Sequence, residues 1–202
     1  MPHLIRSKMQ QLFSWQGHCV EDCNLTELYR TSQPFDSVRT TFPAVQDLSL
    51  SISAFGKRAH WAKALDLLFT SFQRGVEVNV IVLNSAVSAC QRAHQWRFAL
   101  VLVAEAGIHW KGIDPDIISY NSIVAGVAAK GHWEVALAVL SLAEESALQL
   151  DERSYTNLLQ ACAPSCWDVS LWILQDMLEN RVEIDAFACA AAVSTCAESK
   201  NW

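Results

Sequence analysis

Five tryptophans, Trp61, Trp96, Trp133, Trp167 and Trp202, follow one another at intervals of 35, 37, 34 and 35 residues. Trp is rare, and near-constant spacing is not what one closed core produces. A period in the mid-thirties marks one supersecondary unit copied in tandem. In such an array each unit touches mainly its neighbours, and the core runs on instead of closing. The 202 residues therefore read as an array, not as one or two closed domains.

The residues around each Trp define the unit. With Trp as the first residue of a helix, offsets 3, 4 and 7 read Ala64, Leu65, Leu68; Ala99, Leu100, Val103; Ala136, Leu137, Leu140; and Ser170, Leu171, Leu174. This is one apolar face of an amphipathic helix, with a small residue at a fixed place where a neighbour can approach closely. Upstream of each Trp the same offsets recur in a second pattern. It reads Leu83, Ala86, Val87, Cys90; Tyr120, Ile123, Val124, Val127; Tyr155, Leu158, Leu159, Cys162; and Cys189, Ala192, Val193, Cys196. The first copy, Leu48, Ser51, Ile52, Phe55, has one polar slip. Short polar segments such as Lys57-Arg58-Ala59-His60 separate the two helices, so each unit is a helix, a tight turn and a helix.

Asn79, Asp116, Asp151 and Asp185 stand just before successive first helices, where a side-chain oxygen accepts a free backbone N–H. They divide the chain into units 45–79, 80–116, 117–151 and 152–185, a partial unit 186–202, and an N-terminal segment 1–44. The predicted architecture is an all-α solenoid of tandem helical hairpins. Before Glu21 the chain carries Arg6, Lys8 and no acid, so the segment 1–44 reads either as a capping helix or as a faintly transit-like region. The fifth unit stops at Trp202, before its second helix. Uncovered apolar faces are costly at an array end, and a fragment, a truncated product or a covering partner chain would each account for the stop.

Composition removes several classes. Half the residues are apolar (51%) and 18% are charged, which supplies a large core and argues against disorder. A net charge of −6, from 15 basic and 21 acidic residues, argues against indiscriminate binding to nucleic acid. The longest apolar stretch, Ser122 to Leu142, is interrupted by Lys130, His132 and Glu134, so no membrane span is expected. No Gly-rich phosphate loop, His-Glu-x-x-His or nucleophile elbow occurs, and no catalytic residue is assigned. Cys90, Cys162 and Cys196 share one core position and Cys189 lies on the same packing face, so their expected role is as small buried residues. Cys19-x3-Cys23 with His18, and Cys162-x3-Cys166, offer no four-ligand set, and neither a metal nor another cofactor is expected. His60, His94 and His132 fall in turns.

Two helical-hairpin families have this period. In tetratricopeptide repeats the Trp lies early in the first helix and a Leu-Gly pair follows; here the Trp opens the second helix and the pair is missing. Pro115-Asp116-Ile-Ile-Ser-Tyr120-Asn121-Ser-Ile-Val, followed by Ala129-Lys130-Gly131 and Trp133-Glu-Val-Ala136-Leu137, instead resembles a pentatricopeptide repeat, as does Asn79-Val-Ile-Val-Leu-Asn84-Ser-Ala-Val-Ser-Ala-Cys90. The resemblance covers residues 45–202 and is clearest in the second and third units. It implies a binder of single-stranded RNA, in a mitochondrion or plastid, with about one base read per unit.

With each unit counted from the residue after its Asn/Asp boundary, positions 2, 5, 9 and 12 share a helical face distinct from the packing face. In the second unit these are Ile81, Asn84, Ser88 and Gln91. An apolar plate there covers a base while an amide addresses its Watson–Crick edge. By the family's pattern, base choice follows the fifth and last residues: Ser49 with Asn79, Asn84 with Asp116, Asn121 with Asp151, and Thr156 with Asp185. The implied preference is 5′-A-U-U-G-3′. Ile81, Ile118 and Phe187 hold the base-covering position, while Gln46 and Arg153 depart from it. Lys57, Arg58, Arg92 and Lys130, where the turn begins, are the implied phosphate contacts; the fourth unit has Pro164 instead. The second unit carries two extra residues near Ile108–Trp110, an insertion able to move Asp116 out of register.

Each assignment has a plain counterpart. Asp116 and Asp151 are equally suited to be caps alone, and Lys57, Arg92 and Lys130 to be solvated helix-end charges. The competing function is a protein-interaction scaffold without RNA affinity, which the acidic balance and the Gln46 and Arg153 departures favour. A third is RNA processing by a longer chain of which this is a part.

Overall fold

The computed structural model describes residues 45–110, 112–162 and 166–198. The expectations for residues 1–44, including His18, Cys19 and Cys23, and for Pro164 and Trp202 lie outside the described residues. Among those described, every regular element is an α-helix: α1 Val45–Lys57, α2 Trp61–Gln73, α3 Val80–Arg92, α4 Trp96–His109, α5 Ile117–Ala128, α6 Trp133–Glu145, α7 Glu152–Cys162, α8 Trp167–Glu179 and α9 Ala186–Glu198. Trp61, Trp96, Trp133 and Trp167 are each the first residue of a helix, as the spacing predicts.

The chain forms two compact units, divided between Pro115 and Asp116. In the first, α1 packs on α2 and α3, and α3 on α2 and α4. In the second, α5 packs on α6 and α7, α7 also on α6, α8 and α9, and α8 on α9.

Burial resolves the first helix of each hairpin into two stripes. In α3 and α7 positions 3, 7 and 10 (Val82, Ala86, Ala89; Ser154, Leu158, Ala161) are buried together with positions 4, 8 and 11 (Leu83, Val87, Cys90; Tyr155, Leu159, Cys162). The two end helices separate them. In α1, positions 4 and 8 (Leu48, Ile52) are fully buried, whereas Asp47, Ser51 and Ala54 are exposed or half-buried. In α9 the reverse holds: Ala188, Ala192 and Thr195 are buried, while Cys189 is exposed, Val193 is 60% exposed and Cys196 is half-buried. In α3, α7 and α9 the 3/7/10 stripe thus meets the preceding hairpin, and the 4/8/11 stripe of α1, α3 and α7 closes the hairpin itself.

This corrects the reading of Cys189, Val193 and Cys196 as core. Their pattern is that of a packing face, but no described helix covers it. Leu171 is a second correction: it is 46% exposed, and α8 buries Ser170, Ile173 and Met177 instead. Leu100, Leu174, Ser51 and Phe55 are only half-buried. The small residue at offset 3 (Ala64, Ala99, Ala136, Ser170) is fully buried in every second helix.

Helix ends share one geometry, both in the turns within hairpins and in the connections between them. Ala59, His94, Ala147 and Arg181 adopt left-handed backbone, with φ of 57°, 57°, 59° and 57°. The next N–H then reaches five residues back: His60 to the Phe55 carbonyl at 3.0 Å, Gln95 to Cys90 at 2.9 Å, Leu148 to Ala143 at 3.1 Å and Val182 to Met177 at 2.9 Å. These bonds satisfy carbonyls that a helix end leaves open. Gly75, with φ 77°, closes α2 in the same way through Val76 N–H to the Ser71 carbonyl, 3.0 Å.

Side chains join the helices laterally. Trp61 stacks at a tilt on Phe98 of α4, ring centroids 4.8 Å apart. The Tyr155 hydroxyl donates to Asp176 Oδ2 at 2.8 Å and accepts from Asn180 Nδ2 at 3.1 Å, tying α7 to α8. Burial first, then the Asp176 carboxylate, pushes the Tyr155 hydroxyl well above the usual phenol range. The extra length of the second hairpin is taken up by the 14-residue α4 and by Trp110, which is 6% exposed and stacks on Phe72 at 5.1 Å. Asp116 still caps α5, so the insertion does not displace it from the helix start.

Candidate nucleic-acid interface

The predicted site residues lie on the first helices and their caps. Position 2 is exposed in all five: Gln46, Ile81 (61%), Ile118 (56%), Arg153 and Phe187 (50%). Burying an apolar side chain is worth about 1.5–3 kcal/mol. Ile81, Ile118 and Phe187, each exposed at the second position of its helix, are therefore apolar side chains left uncovered within their own units. The face does not stay open along its length. Ser49, Asn84 and Thr156 at position 5 are half-buried and Asn121 is 5% exposed; at position 12, Ala128 is 8% exposed. The following first helix closes over this side: Asn157 Nδ2 of α7 donates to the Asn121 carbonyl of α5 at 3.3 Å.

All four boundary residues are helix caps. Asn79 Oδ1 accepts from Val82 N–H at 3.1 Å and Asp116 Oδ1 from Ser119 N–H at 2.9 Å. Asp151 Oδ1 accepts from Ser154 N–H at 2.9 Å and Asp185 Oδ1 from Ala188 N–H at 2.6 Å. Each cap uses one oxygen, which leaves the second acceptor of each carboxylate outside the capping bond.

The predicted base-reading pairs behave differently from one another. Asn121 Nδ2 donates to Asp151 Oδ1 at 2.9 Å across 30 residues of sequence. No such bond joins Ser49 to Asn79, where Ser49 Oγ turns to the Gln46 carbonyl at 2.8 Å. None joins Thr156 to Asp185 either. Asn84 lies in the first compact unit and Asp116 opens the second. Partial burial pushes the Asp151 carboxyl up; the bonds from Asn121 and Ser154 and the Arg153 charge outweigh it and hold the group below its ordinary value.

Ser119 and Ser154 are the polar residues that sequence reasoning passed over. Ser154 is fully buried, and its Oγ donates to Asp151 Oδ1 at 2.8 Å; Ser119 Oγ donates to Asp116 Oδ1 at 3.1 Å. The signal is present as Asp-x-x-Ser, a spacing that places a helix cap beside the third residue of its helix.

The predicted phosphate contacts, Lys57, Arg58, Arg92 and Lys130, are exposed at the ends of α1, α3 and α5. No group of three or more His, Cys, Asp or Glu among the described residues is placed to hold a metal ion. No described helix is long and apolar enough to cross a membrane.

No protein-family model matches the sequence, and no curated protein matches it. Solved structures do. The fold is similar to that of the pentatricopeptide repeat protein PPR10 from maize, with a TM-score of 0.67, 16% identity, and coverage of 79% of this chain and 23% of that one. The structure of PPR10 in complex with an 18-nucleotide psaJ RNA element gives a TM-score of 0.64 at 16% identity, with the same coverage. The pentatricopeptide domain of Arabidopsis thaliana protein-only RNase P 1, solved in complex with tRNA, gives 0.65 at 18% identity, covering 79% of this chain and 83% of that domain. The chain spans less than a quarter of the length of the maize protein. The described helices thus have an all-α helical-repeat fold similar to that of solved pentatricopeptide repeat solenoids.

Proposed function

We propose that this chain binds single-stranded RNA with base selectivity and performs recognition without chemistry. The observation that carries the reading is the exposure of an apolar side chain at the second position of three first helices, Ile81 of α3, Ile118 of α5 and Phe187 of α9. The Phe187 ring is a stacking surface for a base, and Ile81 and Ile118 offer aliphatic surface that covers one. Polar groups follow three residues later at Asn84 and Asn121. In this reading the repeat units are 45–79, 80–116, 117–151, 152–185 and a partial 186–202, following a segment 1–44. Ser49/Asn79, Asn84/Asp116, Asn121/Asp151 and Thr156/Asp185 select 5′-A-U-U-G-3′. Lys57, Arg58, Arg92 and Lys130 meet the backbone phosphates. The solved neighbours carrying an RNA element and a tRNA support RNA as the class of ligand. The cellular role it fits is organellar RNA processing, stability or translation.

Four bases, few cations and a net charge of −6 predict weak, salt-sensitive binding. Fluorescence anisotropy at low salt, with short RNAs containing AUUG against scrambled and poly-C controls, tests it. Preferential binding of AUUG, weakened by Asn84→Ala and by Asn121→Ala, is the expected result. Equal weak binding to every RNA, or none, removes the base-reading assignment. One observation favours a second reading, a protein-interaction scaffold: Leu171, Leu178, Cys189 and Val193 are exposed on α8 and α9. A partner docked there without RNA affinity is its expectation.

A further inference from the structure

We propose that Ser154 is a positioning residue for base selection at Asn121: acting through Asp151, it fixes the Asn121 amide with its carbonyl oxygen as the group left for a ligand. The inference rests on the RNA-binding reading and adds to it a chemical criterion for the base.

Three donors converge on one oxygen. Asp151 Oδ1 accepts from Ser154 N–H at 2.9 Å, from Ser154 Oγ at 2.8 Å and from Asn121 Nδ2 at 2.9 Å. Ser154 Oγ in turn accepts the Asp151 N–H at 3.3 Å, so serine and aspartate hold each other in a closed loop. Ser154 is fully buried, which leaves its hydroxyl no water to turn to. An ionised carboxylate only accepts, so the Asn121 amide must present its NH2 to Asp151. The opposite orientation sets two acceptors against each other at hydrogen-bond distance.

The other end of the amide shows the consequence. Asn121 Oδ1 is buried without a hydrogen-bond partner, an arrangement that folded proteins rarely leave unrepaired. A ligand that donates a hydrogen there, once the side chains around the oxygen part, makes a bond the free protein lacks. Uracil N3–H and guanine N1–H donate from the ring; cytosine N3 and adenine N1 accept. Cytosine and adenine donate only from their exocyclic amines, so with the ring edge facing Asn121 Oδ1 the criterion at this position is a ring donor. The serine is particular to some caps: Asp116 has Ser119, but Asn79 and Asp185 meet Val82 and Ala188, which have no hydroxyl.

The experiment pairs a spectroscopic readout with a binding ratio. In 15N-labelled protein, Ser154→Ala is expected to move the Asn121 side-chain NH2 resonances toward those of a free amide. The uracil-over-cytosine preference at the third base of AUUG is expected to fall by about 3–10-fold, the scale of one net hydrogen bond. Gln175→Ala, which removes an exposed side-chain bond to Glu179 on α8, leaves both readouts at Asn121 unchanged. Asp151→Asn keeps a capping side chain, frees the amide to turn, and lowers the same preference should Ser154→Ala fail to fold. Unmoved Asn121 resonances, or RNA binding with an unchanged uracil-to-cytosine ratio, overturn the inference alone. Absence of RNA binding by the unaltered protein overturns the functional reading and base selection with it, and the amide resonances then report only the static clamp.

Discussion

At the scale of single residues, the turns carry a cost that the sequence does not advertise. Ala59 and Ala147 sit at φ 57° and 59°, where an L side chain crowds its own backbone. Gly131 occupies the equivalent place in the third hairpin's turn at φ 70°. Ala59→Gly and Ala147→Gly are each expected to stabilise the fold by about 0.5–1 kcal/mol, the relief of crowding less the extra entropy of an unfolded glycine. Urea midpoints at unchanged slope measure it, and a lower midpoint for both sinks the turn geometry described here. The same scale shows where reading the sequence fell short. Asn79, Asp116, Asp151 and Asp185 were legible as caps or base readers, and the capping half is seen directly. That Asn121 Nδ2 would meet Asp151 while Thr156 made no bond to Asp185 was not legible, because each depends on how the next first helix closes over the one before, α7 over α5 and α9 over α7.

At the scale of elements, the helix starts were legible and the covered edges were not. A Trp with a small residue three places on marks a second helix whose neighbour lies close, and Ala64, Ala99, Ala136 and Ser170 are all fully buried. The apolar pattern of α8 is wider than the face its neighbours cover, so Leu171 matches the pattern and remains 46% exposed. Pattern gives the direction of a face, and only the neighbouring helix decides which edge is dry. The closest approach was equally hidden. A Cβ placed on Gly56 of α1 would lie 2.7 Å from Ala89 Cβ and 2.9 Å from Ala89 Cα in α3. Backbone cannot swing aside, so Gly56→Ala is expected to cost about 1–3 kcal/mol although Ala is the better helix former by about 1 kcal/mol. Adding Ala89→Gly recovers part of the loss. A thermal midpoint for Gly56→Ala at or above that of the parent protein contradicts the α1–α3 contact.

At the scale of the whole molecule, thiol chemistry distinguishes covered from uncovered hairpins. Burial pushes the Cys90 and Cys162 thiols up to about 12. Little thiolate exists there at pH 8, and reagents reach neither sulfur. Cys189, in a related register, is exposed. Brief alkylation of the folded protein followed by peptide mass mapping is expected to label Cys189 and spare Cys90 and Cys162 until denaturant is added. Equal labelling of all three under native conditions means the hairpin cores open readily. The class of fold was legible from five tryptophans alone, since a repeat announces itself by period without any long-range contact. The ends were not, because their exposure depends on which neighbours are present.

The separation of each first helix into a 3/7/10 stripe and a 4/8/11 stripe has an evolutionary consequence. One edge of the helix closes its own hairpin and the other fits the hairpin before it, so both seams travel in one segment of chain. A tandem duplication of about 35 residues therefore creates a new joint from parts that already fit. The length of such an array, and any message length it reads, grows by copying segments of gene, with no fresh interface to invent.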